Sequence, residues 1–290
     1  MTAIETLVEL AKAQPGRVTY HRAEGSLQRK ATLPAADQFV GLGPAKVGPP
    51  GVRSLIPQAR TTQAGVAYLR DAWTDAAAVV APKALKPEAN MTSTAMVAPV
   101  VTIAQTVKLS RQLWEDYPAL EAQLESRLLR GLRRVEEAQL LLGTGAGGQM
   151  LGLMTAATSQ GLTVPLSGQA LLDGIQAAAA ALTAAGPGYV ATGVVLNPSD
   201  WIAAQRSQPS LAMASSGLWG LQAAASIAMP VGNFLVGAFD VGCQLYDRED
   251  AHVEIADENM DDFVKDLLTA RAEERLALAI YTPAAFRKAA

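Results

Sequence analysis

The 290-residue chain has few of the residues that build metal sites and covalent frameworks. Its single cysteine, Cys243, excludes an intrachain disulfide, and we expect this thiol to be a small buried apolar group. The two histidines, His21 and His252, are far apart in the sequence, so a His/Cys zinc site has too few ligands. The sequence therefore predicts no metal site and no cofactor.

Long hydrophobic runs and an excess of positive charge are also missing. No window approaches the roughly 18 apolar residues that span a membrane. The first residues include acids and lack the basic start of a signal peptide. With 24 basic and 27 acidic residues, the net charge of −3 does not indicate a nucleic-acid-binding protein of the basic kind. We expect a soluble protein, and enclosure of nucleic acid without tight binding remains compatible with this charge.

The most regular feature of the sequence is one long amphipathic helix, predicted over Pro118–Leu142. Asp116 is a candidate cap for its first turn, and Gly143 is expected to end it. Twenty-five helical residues would form a rod of roughly 37 Å, well above the usual length. The apolar face is expected to contain Leu120, Leu124, Leu128, Leu132, Val135, Gln139 and Leu142.

The opposite side of this helix is rich in charge. Arg130, Arg133, Arg134 and Glu137 form its predicted charged face. Because Glu136 and Glu137 lie close after the arginine pair, separated from it by Val135, the simplest interpretation is a solvated surface.

Two segments that precede the helix do not suit a compact monomer. Residues 17–57 are rich in glycine and proline and have no periodicity, which is typical of a disordered leader or of an arm that orders against neighbouring subunits. Residues 61–107 are predicted to form two long strands joined by a polar tip. We call this hairpin-like segment the flap. Such a flap would be poorly stable alone, so we expect it to rest on a partner.

The remaining chain predicts an α+β fold. It contains a helix over Gly168–Ala185, a strand over Gly188–Leu196, and a helix capped by Asn197 or Ser199. Short strands are predicted over 219–227, 233–239, 244–247 and 253–255, and a longer one over 272–281.

No catalytic motif stands out. Gly143–Gly148 matches G-x-G-x-x-G in its letters, but a helix instead of a strand precedes it, so we interpret it as a helix-exit loop. The acidic run from Asp257 to Asp262 is interpreted as a solvated loop. We therefore predict that the protein is not an enzyme.

The order of several motifs resembles the major capsid proteins of tailed phages, which have the Hong Kong 97-like fold. The resemblance covers roughly Pro50–Phe286, and its shared order is more specific than any one motif. The matching motifs are AAVVAPKALKPE at 77–88, SRQL at 110–113, EEAQLLLGTG at 136–145, VLNPSDW at 195–201, LWGL at 218–221, FVKD at 263–266 and AEERLAL at 272–278.

The resemblance implies a division of the chain into named parts. These are an N-terminal arm (1–57), an E-loop (58–107), a peripheral domain with the spine helix (108–146), an axial domain (147–242) and closing peripheral-domain strands (243–290).

It also implies a shell protein that self-assembles as pentamers and hexamers around double-stranded phage DNA without reading its sequence. Implied further partners are portal and scaffolding proteins and, in some relatives, a decoration protein. The expected location is the virion capsid after synthesis in the host cytoplasm. Because only about 50 residues precede the matched region, we expect no maturation cleavage.

In the family's name-giving member, a lysine forms an isopeptide bond to an asparagine of another subunit with help from a glutamate. The matching positions are Lys86, Asp266 and Glu273. An ionised aspartate is a poor electrophile, so the resemblance favours a salt bridge between subunits over a covalent bond here.

Three other functions are weighed against a phage capsid. The same fold would serve an encapsulin-type compartment or a gene-transfer-agent head. A nucleotide-dependent enzyme would have to use Gly143–Gly148, which lacks the required preceding strand.

Overall fold

The computed structural model describes residues 20–22, 25–27, 51–74, 76–116, 120–184, 188–208 and 217–290. These residues form a mixture of helices and sheets, which confirms the predicted α+β class. Most of the predicted arm lies outside the described residues. Within it, strands β1 (Tyr20–Arg22) and β2 (Gly25–Leu27) pair antiparallel.

The predicted flap is a two-stranded hairpin. Strand β4 (Gly65–Thr74) pairs antiparallel with β5 (Asn90–Pro99) along its whole length. The prediction that the flap extends to residue 107 is wrong, because the chain leaves the hairpin at Pro99 and continues as β6 (Val101–Ser110) in another sheet. Proline has no backbone N–H to extend a ladder, which explains the break at this point.

The long helix is present as α2 (Leu120–Leu142), a rod of about 34 Å that follows the short α1 (Arg111–Asp116). Pro118 lies outside the described residues, so the predicted capping of this helix stays a prediction. Its buried row is Leu128, Leu132, Glu136 and Leu140.

The predicted apolar face of α2 is partly wrong. Val135 and Leu142 are exposed, although the sequence placed them in the core. A spacing of four residues advances the buried row by about 40° at each step, and this row passes through Glu136 instead of Val135.

A six-stranded sheet contains the main core of the larger compact unit. Its central strand, β8 (Gly193–Leu196), is fully buried and apolar, and neighbouring strands cover both its edges. The strand order is β7 (Thr158–Ser159), β14 (Phe286–Lys288), β11 (Phe234–Gly237), β8 (Gly193–Leu196), β10 (Leu221–Ala225) and β9 (Gly217–Leu218).

The helices beside this sheet confirm the sequence interpretation closely. Helix α4 spans Gly168–Ala184, and α5 spans Pro198–Ser207 with Asn197 as its cap, whose side-chain oxygen accepts the backbone N–H of Ser199. Helix α3 (Leu153–Ala156) and α6 (Phe239–Gly242) are single turns. The strands are shorter than predicted, because Trp219 and Gly220 both have positive φ and form the turn between β9 and β10.

The second sheet has the order β3 (Gln58–Arg60), β12 (Cys243–Ala256), β13 (Leu267–Ile280) and β6. Strand β12 joins two predicted short strands into one. Strand β13 begins five residues before the predicted start at Ala272. Short 3-10 helices occur at Val52–Leu55 and Pro283–Ala285.

The chain forms two compact units. The smaller includes Ala104–Arg130 and His252–Ala272, and the larger includes Val47–Ile103, Gly131–Ala251 and Glu273–Ala290. The division into arm, E-loop, peripheral and axial parts stays a prediction. Among the helices of the described residues, none has the length and apolar character that a membrane crossing requires.

Candidate functional site

The tip of the hairpin is an exposed loop with apolar side chains. Residues 76–89 have no strand or helix, and Val79 and Leu85 are almost completely accessible. Lys86 is exposed in the same loop. Water-exposed apolar side chains on a projecting loop are typical of a surface that another molecule covers.

A turn between β12 and β13 in the smaller unit is held by buried charge. The carboxylate of Asp262 is fully buried, accepts a 2.5 Å hydrogen bond from the Lys108 ammonium, and also accepts the hydroxyl of Thr269. These hydrogen bonds hold the pKa of Asp262 below its ordinary value. The turn exposes Met260, Phe263 and Val264.

Arg111 connects the two ends of the same turn. Its guanidinium lies 2.6 Å from the Asp257 carboxylate and 3.1 Å from that of Asp266. Its backbone N–H also donates to the carbonyl of Asp266, which has the left-handed φ of 54° that aspartate and asparagine tolerate.

The acidic run 257–262 is therefore not simply a solvated loop. Asp257 and Asp262 both form ion pairs, so this part of the sequence interpretation is wrong. Among the residues that the structure describes, no group of three or more possible metal ligands occurs.

The three residues that match the family's crosslinking positions have different surroundings within the chain. Asp266 lies beside Arg111, and Lys86 lies in the exposed hairpin loop. Glu273 accepts hydrogen bonds from two nitrogens of Arg275, at 2.9 and 3.0 Å. Whether Lys86 meets either acid between subunits stays a prediction.

The predicted charged face of α2 consists of arginines. Arg130, Arg133 and Arg134 are exposed. Glu137 is half-buried, and its carboxylate accepts a 2.7 Å hydrogen bond from the Ser226 hydroxyl. Glu136 is only 2% exposed, so the interpretation that places it on a solvated face is wrong.

Glu136 belongs to a buried cluster that the sequence interpretation missed. Arg53 donates to Glu136 through one terminal nitrogen and to Asp247 through the other, both at 2.6 Å. Glu274 is also buried in this unit, and one of its carboxylate oxygens has no hydrogen-bond partner. The signal in the sequence was the spacing of Glu136, which stands in the buried row of Leu132 and Leu140.

Burial changes the proton affinity of this cluster. Desolvation, strengthened by repulsion from Glu136, raises the pKa of Glu274 to about 7. Desolvation also raises the pKa of Glu136, although the neighbouring Arg53 opposes this shift. The cluster thus contains three carboxyl groups around one guanidinium and can take up protons near neutral pH.

The glycine-rich segment is a loop, as predicted. Helix α2 precedes it, and the backbone N–H of Gly145 donates to Met150 in a reversal closed by the Thr144–Leu151 bridge. Only the single turn α3 follows. A dinucleotide site requires a strand before the glycines and a full helix after them, so this geometry contradicts the nucleotide-dependent enzyme.

Comparisons with known proteins agree on one family. A sequence model described as "Phage capsid family" matches residues 49–290. The chain is 40% identical over 247 residues to the "Major capsid protein" of Enterobacteria phage HK97, covering 82% of this chain and 64% of that protein. The chain thus spans a little under two thirds of the length of this relative.

Solved structures show the same fold at lower identity. A chain from Mycobacterium phage Ogopogo has a TM-score of 0.67 at 17% identity, covering 91% of this chain and 96% of that one. A capsid chain of a native GTA particle has a TM-score of 0.60 at 17% identity, covering 87% and 96%. The α+β fold is therefore the Hong Kong 97-like capsid fold, and the chain belongs to the phage capsid family.

Proposed function

We propose that this chain is the major capsid protein of a tailed phage and self-assembles into an icosahedral shell around double-stranded DNA. The observation that carries this proposal is the family match over residues 49–290, together with 40% identity to a protein named as a major capsid protein. In such a shell, pentamers and hexamers of the chain form the wall. The protein is a structural component of the virion and not an enzyme.

The described surfaces support an assembling protein. The hairpin β4–β5 carries Val79 and Leu85 at its exposed tip, and the β12–β13 turn exposes Met260, Phe263 and Val264. Covering such apolar groups stabilises an assembly by about 25 cal/mol per Å² removed from water. A single soluble subunit gains nothing from their exposure.

The proposed partners other than the chain itself are packaged DNA, a portal protein, a scaffolding protein and, outside the shell, a decoration protein. The chain would be made in the host cytoplasm and would end in the virion. The arm at 1–57 and the flap would bury surface on neighbouring subunits, which offsets the entropy of ordering them.

We further propose that subunits of the shell are not covalently linked through Lys86. Two features support this: the Asp266 carboxylate lies 3.1 Å from the Arg111 guanidinium, and an ion-paired carboxylate is a poor acyl donor. A salt bridge from Lys86 to an acid of a neighbouring subunit is the non-covalent counterpart. Boiling purified particles in detergent tests this, because a surviving ladder of multimers contradicts it.

A second candidate function is a gene-transfer-agent head, which the similarity to a GTA capsid chain favours. An encapsulin-type compartment is the third use of the same fold. The contents of purified particles distinguish them. Nuclease-protected DNA of a single phage genome supports the phage capsid, random chromosomal fragments support the gene-transfer agent, and protein cargo without DNA supports the encapsulin.

A further inference from the structure

Four exposed arginines form one stripe along helix α2. Arg127, Arg130 and Arg134 fall within about 60° of arc on the helix, and Arg133 lies within a further 60°. The buried row that begins at Leu128 occupies the other side. We call these four side chains the arginine stripe.

Within the described part of the chain, the acids next to the stripe form no ion pair with it. In the sequence, only Val135 separates the arginine pair from Glu136 and Glu137, which suggests a balanced surface. In the folded chain, Glu136 forms an ion pair with Arg53, and Glu137 accepts a hydrogen bond from the Ser226 hydroxyl. The partners of both glutamates thus lie outside the stripe.

Of the four arginines, Arg133 has an acid within electrostatic reach, because its charge acts on the buried Glu274 carboxyl. Arg130 donates to the Ser126 hydroxyl at 3.2 Å, and no ion pair to Arg127, Arg133 or Arg134 occurs among the described residues. Arg127, Arg130 and Arg134 are therefore a local group of positive charges without an ion-pair partner among the described residues, on a chain whose net charge is −3.

We propose that the arginine stripe binds the phosphate backbone of double-stranded DNA without reading its sequence. Arg127 and Arg134 are seven residues apart, so the stripe is about 10 Å long, and a duplex carries one negative charge per about 1.7 Å of its axis. A guanidinium matches the oxygens of a phosphate with parallel donors. This inference rests on the proposed function, because enclosed DNA supplies the phosphates.

An acidic protein segment fits the stripe less well. Protein partners usually need a buried apolar or aromatic anchor at the centre of the contact. Ser126 and the half-buried Glu137 lie on the same arc as the stripe, and the nearest exposed aliphatic side chain, Val135, lies about 100° around the helix from Arg134. Charge without an anchor favours a phosphate backbone.

The inference is tested by DNA binding of the purified full-length subunit. The probe is a labelled 24-base-pair duplex of random sequence, and fluorescence anisotropy is measured over a series of salt concentrations. The charge-removing variant is R130Q/R134Q. The matched control is R206Q/R248Q, which removes two exposed arginines elsewhere on the chain.

We expect R130Q/R134Q to weaken binding on the order of tenfold at low salt and to reduce the slope of log K against log salt by about two. R130K/R134K keeps the charge and should keep the slope, and R206Q/R248Q should leave both quantities unchanged. Equal losses in the two charge-removing variants would overturn the proposal.

A second result would also overturn it. If R130Q/R134Q binds DNA normally but fails to assemble without DNA, the stripe contacts protein instead. Electron microscopy of each variant separates this inference from the proposed function. If R130Q/R134Q forms shells but binds DNA more weakly, the result supports the stripe and leaves the capsid proposal unchanged. Circular dichroism checks that each variant is folded.

Discussion

Among single residues, Glu274 has the most unusual environment. It is 3% exposed, and the groups that act on it are Glu136, Asp247, Arg53 and Arg133. Its pKa is raised to about 7 in the folded chain, above the ordinary value near 4.5. The folded state therefore binds this proton more tightly than the unfolded state, so Glu274 makes folding less favourable as pH rises from about 4.5 to about 7.

Glu274→Gln should remove this dependence. We compare the free energy of unfolding of the variant with that of the unmodified chain. We expect the difference, variant minus unmodified chain, to increase by on the order of 2 kcal/mol between pH 5 and pH 8. Urea unfolding of the unassembled subunit at both pH values measures it. Glu88→Gln on the exposed loop controls for the loss of one carboxylate, and a pH-independent difference for Glu274→Gln would contradict the prediction.

Asp266 provides a second residue-scale prediction. Asparagine tolerates the left-handed φ of 54° at this position, and its amide can lose ammonia when a lysine amine attacks. If Lys86 of a neighbouring subunit reaches this turn, Asp266→Asn should allow covalent bonds between subunits. Shells of the unmodified chain should then give single chains after boiling in detergent, and Asp266→Asn shells should give a ladder of linked chains.

The double variant Asp266→Asn with Lys86→Ala is the control and should give single chains only. A ladder from unmodified shells would disprove the non-covalent proposal. No ladder from Asp266→Asn shells would show that Lys86 does not meet this turn.

At the scale of elements, Arg53 connects the 3-10 helix Val52–Leu55 to helix α2 and strand β12. It does so through two buried carboxylates, Glu136 and Asp247. Arg53→Met should lower the free energy of unfolding by about 3–5 kcal/mol, because it leaves buried acids without their cation. The loss should be larger at pH 8 than at pH 5, where Glu274 can be protonated.

Arg60→Met is the matched control for Arg53. Arg60 pairs with Asp250, also on strand β12, but both side chains are exposed. An exposed ion pair contributes about 0–1 kcal/mol, so we expect a change within that range. Similar losses for both variants, measured by urea unfolding, would contradict a special role for the buried cluster.

The hairpin tip gives the second prediction for an element. Val79→Ser with Leu85→Ser should leave the melting temperature of the subunit unchanged, because both side chains are exposed. It should strongly reduce assembly, measured by sedimentation, if a neighbour covers the tip. Val190→Ser with Ile227→Ser, also exposed, is the control, and equal assembly by all three proteins would contradict the role of the tip.

The elements show which features a sequence can specify. The local signals of α2, α4 and the Asn197 cap were sufficient, because helical periodicity and capping depend on nearby residues. The sequence could not place Glu136, because its burial depends on Arg53, 83 positions away. It could not separate β5 from β6 either, since Val, Thr and Ile recur throughout 92–107 while the partners of the two strands lie in different sheets.

The candidate surfaces also divide into features that depend on nearby residues and features that depend on distant ones. The sequence identified the exposed loop of Lys86 and the exposed arginines of α2. It missed that Asp257, Asp262 and Asp266 pair with Arg111 and Lys108, because these pairs join segments about 150 residues apart.

At the scale of the whole molecule, the family, the fold and the exposed apolar loops lead to one account, in which the chain is a shell subunit. In this account, the negative net charge would keep most of the shell wall from binding DNA tightly, and the proposed arginine stripe would supply a local contact. The remaining described surfaces are then available to neighbouring copies of the chain.

Electron microscopy of the purified full-length chain, expressed alone and together with candidate scaffolding and portal proteins, tests this account most directly. We predict closed icosahedral shells built of pentamers and hexamers, with this chain as the main component by mass spectrometry and nuclease-protected double-stranded DNA inside the packaged particles. A chain that stays a monomer or a small oligomer under all of these conditions would contradict the account.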